Sequence, residues 1–134
     1  MTYELIRSAL ETRLNALSPS VPIAWENAAF SPATSLFQRV NFLPARTENP
    51  TFGDDMHRES GIFQVSVYGA VGKGYAESLM RAELIRSWFP RGLSLVNGAV
   101  TVRILRTPSI APAISDGEWF LIPVSVNYFC DVFQ

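Results

Sequence analysis

The closing segment, Glu118 to Val132, constrains the fold more than any other part of the chain. Ile122, Val124, Val126, Tyr128, Cys130 and Val132 recur at every second position, the period of a strand with one face against a core. That face marks the segment as the spine of the core. Pro123 reads as an interruption. Two further segments read as strands: Leu36–Leu43, ended by Pro44, and Gly61–Gly69, where Phe63, Val65 and Val67 alternate with Gln64 and Ser66. Val21–Trp25 reads as a short edge strand, because Pro22 cannot donate to a central ladder. Asn97-Gly98 predicts a type I′ turn joining Leu93–Val96 to Ala99–Leu105. Residues 107–117 read as a Pro-rich connection with a turn at Asp116-Gly117.

Two segments have helical spacing. In residues 2–17, Thr2 can cap, Glu4 suits the first turn, and Ile6, Ala9, Leu10, Leu14 and Leu17 share one face. Residues 75–89 are followed by the stop signals Pro90 and Gly92. On that helix Tyr75, Leu79, Ala82, Ile85 and Phe89 form a broad apolar face. Ala76, Met80, Leu84 and Trp88 form a second row at i, i+4, with Glu77 and Arg81 along one boundary. A helix of a two-layer domain needs one apolar stripe. The second is covered either by the first helix or by another chain. The expected fold is α+β, in one domain: two helices on a mainly antiparallel or mixed sheet, in the order α-β-β-β-α-β-β-β.

At 134 residues the chain is long enough for one core. Charged residues make up 17%, which is sparse for a free monomer and points to surface meant for burial between chains. The net charge of −1 gives no electrostatic case for nucleic acid or an anionic membrane. Arg103 with Arg106, and Arg39 with Arg46, amount to a small basic patch at most. No run approaches the roughly 18 apolar residues of a membrane span, and the opening MTYELIRS has no signal-peptide pattern. The lone cysteine, Cys130, excludes an internal disulfide framework and fits a reducing compartment.

A search for chemistry finds no catalytic constellation, cofactor site or metal site. Gly72-Lys73-Gly74 lacks the span and the hydroxyl of a phosphate loop. Without parallel βαβ units around it, it reads as a turn into a helix. His57, the only histidine, lies in "DDMHRE" without further His or Cys ligands, and a solvated loop explains it better than a metal site. Cys130 has apolar neighbours and reads as a packed thiol. No serine sits in a Gly-x-Ser-x-Gly elbow, and Asp116 and Glu118 flank a turn. What stands out instead is Ala45–Ser60, "ARTENPTFGDDMHRES", an exposed, flexible-looking loop between two strands. Loops beyond about 12–15 residues are uncommon in compact domains and are usually functional or disordered.

Several of these segments resemble the tail terminator-like proteins of long-tailed bacteriophages. They are the N-terminal helix, "PIAWEN" (22–27), "RVNFLPARTENPTFGDDMHRESGIFQVSVYG" (39–69), "GYAESLMRAELIRSWFP" (74–90) and "VSVNYFCDV" (124–132). The resemblance spans nearly the whole chain and rests on a fold and a loop, not on catalytic residues. It implies a structural, non-enzymatic subunit without cofactor. Such a subunit assembles as a ring of six on a completed tail tube, stops tube polymerisation and presents a surface to which the filled head attaches. The implied partners are further copies of the chain, the tail tube protein and the head–tail connector proteins. The subunit would be made in the bacterial host cytoplasm and end in the virion tail. Another neck or tail-completion subunit is the nearest alternative, and a solitary ligand-binding or enzymatic domain a more distant one. The residues expected to make contacts are our inference from the pattern: Arg46, Glu48, Asp54, Asp55, His57 and Arg58 of the loop, with Met80, Leu84 and Trp88 as an apolar patch.

Overall fold

The computed structural model describes residues 2–28, 30, 36–70, 72 and 75–133. Residues 29 and 31–35, between the segments Val21–Trp25 and Leu36–Leu43, and most of the Gly72-Lys73-Gly74 turn lie outside them; Gly72 itself has φ +87°, as a glycine turn requires. Helix α1 (Thr2–Asn15) is followed by strands β1 (Ile23–Ala24), β2 (Phe37–Pro44) and β3 (Met56–Ala70). Helix α2 (Ala76–Trp88) then leads to β4 (Ser94–Asn97), β5 (Val100–Ile104), β6 (Ser109–Ile110), β7 (Ile114–Asp116) and β8 (Trp119–Phe133). The fold is α+β, as expected, with two additional short strands in the supposed 107–117 connection. Their Pro-rich sequence conceals them; they exist because β8 offers an edge for them to pair with.

The sheet runs β1-β2-β3-β8-β5-β4, with β6 and β7 added along β8. Its spine is the antiparallel β3–β8 pair, in register from Met56 opposite Phe133 to Ala70 opposite Trp119. Val65 faces Val124, Phe63 faces Val126 and Val67 faces Ile122. All six are fully buried, so period-2 patterning places both apolar sets under the same helices. Pro123 does not interrupt β8. Its carbonyl accepts from Ala111 N at 2.9 Å, so its backbone points away from β3, and the missing N–H removes nothing from the β3–β8 ladder.

The core consists of α1 (Ile6, Leu10, Leu14), α2 (Ala82, Ile85) and Phe89 on the inner sheet face. Among the described residues the opposite face carries no helix. There Arg39, Ser66 and Pro123 lie in one row, and Asn41, Gln64 and Ser125 in the next. At one end of that face Phe37 stacks on Tyr68 (4.8 Å between centroids) and meets Trp119 edge-on (4.9 Å), which buries Phe37 without a helix.

The β4–β5 hairpin turns one residue later than expected. Asn97 pairs with Val100, so Gly98 and Ala99 are the central residues. Gly98 has φ +60° and Ala99 is not in the positive-φ region, the arrangement of a type II′ turn, not type I′. Asn97 is thereby free to donate its side-chain amide to Leu5 O of α1 (2.9 Å). That tertiary bond is what the local turn preference cannot anticipate.

Candidate functional site

The expected 45–60 loop is shorter than its composition suggests. Residues 56–60 are the first part of β3. Backbone bonds from Ala45 N to Ser60 O (2.8 Å), and in both directions between Glu48 and Arg58 (2.9 and 2.8 Å), carry the hairpin further. What remains is a short tip, residues 49–55, on a paired stalk. We call this hairpin extension the arm. Its polar sequence hides the strand because the inward residues here meet polar partners at the edge of the core. Glu59, only 8% exposed, accepts from Thr47 Oγ1 (2.7 Å) and Tyr3 OH (3.2 Å) and lies 3.4 Å from His57 Nε2. One carboxylate thus ties together the arm's root, β3 and the first turn of α1. A buried acid is tolerated where hydrogen bonds satisfy it.

His57 and Arg58 are therefore strand residues, a correction to their place in an exposed loop. Arg58 is engaged: its guanidinium forks onto Asp131 of β8 (Nε–Oδ1 2.6 Å, Nη2–Oδ2 3.0 Å) and lies 4.5 Å over the Phe129 ring. The hydrogen bond from Arg58 holds the Asp131 carboxyl below its ordinary value of 3.8. A depressed folded-state pKa stabilises the fold above the ordinary value, and the gain is lost as pH falls through the folded-state pKa. We expect Asp131→Asn to cost about 0.5–1 kcal/mol at neutral pH, the scale of a half-exposed pair. The cost should shrink toward zero well below pH 3.8, read from urea denaturation at several pH values. A cost independent of pH would assign the pair a packing role only. Arg46, Glu48, Asp54 and Asp55 are exposed as expected, and Asp55 accepts from Thr51 Oγ1 (3.3 Å).

The second helix row divides. Met80 and Leu84 are exposed, at 66% and 42%. Trp88 is not a free contact residue: its indole N–H donates to Arg13 O (2.5 Å) and the Arg13 guanidinium lies 3.8 Å over its ring. Arg13 also donates to Trp88 O from Nε (3.0 Å) and Nη2 (2.8 Å). Helix α1 thus covers the last turn of α2 and leaves the first turns bare. The arm and the Met80–Leu84 patch lie on different parts of the molecule.

Two features escape the sequence reading. Phe52, at 104% relative exposure, stands on the arm's tip without any cover; its signal was a lone aromatic between Pro50 and Gly53 in a polar run. Arg81, placed by the helical wheel on a boundary, is 3% exposed. It donates to Gln38 Oε1 (2.9 Å) and Pro19 O (2.6 Å), and burial lowers its pKa. Burial also raises the pKa of the Cys130 thiol, which is fully covered; this is the packed cysteine expected. Among the described residues no group of three His, Cys, Asp or Glu side chains is placed to hold a metal ion. No helix among them is long and apolar enough to cross a membrane.

Comparison with known proteins gives the same reading from another direction. A comparison with curated protein sequences finds no match. A solved structure that is 29% identical superposes with a TM-score of 0.81, covering 100% of this chain and 99% of the other. The family described as phage tail terminator protein matches residues 5–128. With that family matching nearly the whole chain, this protein belongs to the phage tail terminator family, a structural component of phage tails.

Proposed function

We propose that this chain acts by capping. Copies close into a ring of six on the end of the finished tail tube. The ring blocks further addition of tube protein and offers its outer surface to the head–tail connector. The observation that carries this reading is the pairing of two unlike exposed surfaces, the arm with bare Phe52 and the Met80–Leu84 face of α2. Two different patches on one subunit suit a heterologous contact, which makes closed rings when the rotation permits. Neither surface requires a reaction, so capping needs no catalytic residue. Assembly takes place in the host cytoplasm, and the product remains in the virion tail.

The test is polymerisation of the purified tube protein followed by light scattering. Substoichiometric addition of this chain should arrest elongation, leaving short tubes with an extra ring of density at one end. Light scattering of the chain alone, or on the tube, should give a discrete mass near six subunits. Met80→Glu with Leu84→Glu should abolish ring closure while circular dichroism stays unchanged, since both side chains are exposed. Tubes that grow at full rate with the chain bound elsewhere would favour a different neck subunit.

A further inference from the structure

We propose that the arm tip of one copy, residues 49–55, docks into the groove between α1 and β4 of a second copy, with Phe52 as the anchor. The proposal rests on the assembly reading above and adds the receptor for the arm.

The groove holds about 400 Å³. Small side chains on α1, Ser8, Ala9, Thr12 and Ala16, stand back from Leu95 and Val96 of β4, leaving room for a ring.

Strand β4 is the end of the sheet, and its hydrogen-bonding pattern identifies which groups are open. The two-residue hairpin makes Asn97–Val100 a bonded pair, and the bond from Ile104 N to Leu93 O (2.9 Å) keeps the same phase. The backbone groups of Ser94 and Val96 therefore point away from β5, toward any added strand. The opposite edge, on β2, is closed by three devices. Strand β1 pairs with Gln38 and Arg39, Glu26 Oε1 accepts from Phe42 N (2.6 Å), and Pro44 has no N–H to offer. The sheet thus accepts a new segment at β4 and resists one at β2.

Charge selects the arm as the occupant. Arg13, which also holds Trp88, is the one charged residue among the described residues lining the groove, whereas the tip, residues 49–55, carries Asp54 and Asp55 and no cation. The other exposed apolar site, around Met80 and Leu84, is lined by Glu83, which does not suit the acidic tip, so that face serves a separate contact of the ring. Within one chain the arm leaves the β2–β3 end of the sheet, while β8 and β5 separate β3 from β4. The contact is consequently between copies, and each copy keeps one arm and one groove, the condition for a head-to-tail ring.

Cysteine trapping tests this in the full chain, because the native Cys130 is fully buried. A Thr51→Cys chain, which keeps the Phe52 anchor, is mixed with a Thr12→Cys chain under mild oxidation, with Thr51→Cys plus Ser87→Cys as the comparison pair on α2. We expect the covalent dimer from the Thr12→Cys mixture to exceed that from the comparison pair and from either variant alone at least fivefold. Phe52→Ala should weaken assembly of the otherwise native chain at least tenfold, and Phe52→Trp should retain it. Equal trapping at Ser87, or no trapping at Thr12 in a chain whose native mass still shows a ring, overturns the docking site and leaves the ring intact. A chain that stays monomeric at every concentration and on the tube, with no trapping, overturns both.

Discussion

Replacing Gln38 with Leu should lower the unfolding free energy by about 3 kcal/mol, although the two side chains are similar in size. Gln38 has no exposed surface, and its Oε1 is one of two acceptors that hold the Arg81 guanidinium, the other being the Pro19 carbonyl. Leucine leaves a buried cation with one acceptor in a site where burial already disfavours the charge. The reciprocal change, Arg81→Met, should cost less, about 1–2 kcal/mol. It removes the charge together with its need, and leaves Gln38 Oε1 and the part-buried Pro19 carbonyl without that donor. Urea denaturation of both variants measures the order. If Arg81→Met proves the more costly, the guanidinium contributes mainly through packing, and the hydrogen bond to Gln38 is incidental.

Gly61→Ala should cost about 3 kcal/mol, at the upper end for overpacking a core site. A Cβ at Gly61 would lie 2.4 Å from Leu43 O, 2.9 Å from Pro44 Cα and 2.7 Å from the Tyr128 hydroxyl. The first two are backbone atoms of β2, so relief requires moving that strand at the point where the arm begins. Tyr128 covers the glycine from β8, with its hydroxyl buried and without a hydrogen-bond partner among the described residues. Tyr128→Phe should therefore be neutral or up to about 1 kcal/mol stabilising. Adding Tyr128→Phe to Gly61→Ala should recover little, because the backbone contacts persist. A Gly61→Ala chain with native stability would mean that β2 shifts freely there and that the arm's stalk is loosely held.

Much of the fold was legible in the chain. The alternation of Phe63, Val65 and Val67 and of the residues from Ile122 to Cys130 located the two central strands. Which of the candidate contact residues are exposed was legible only in part. Met80 and Leu84 are exposed as expected, but Trp88 of the same row is sealed by Arg13, since α1 lies against only the last turn of α2. His57 and Glu59 read as loop because their acceptable environment, with Tyr3 and Thr47 as partners, is assembled from distant segments. Pro123 read as a break because the direction of its missing donor depends on which neighbour lies on which side.

Periodicity is a local property of backbone geometry, and so the helices, the paired strands and the α+β class followed from the sequence alone, as did the resemblance to tail terminators. Which apolar and charged groups end in water depends on elements that meet across the sheet. Only the tertiary structure decided that Arg81 is buried, that Arg58 is paired, and that Phe52 is left uncovered on the arm.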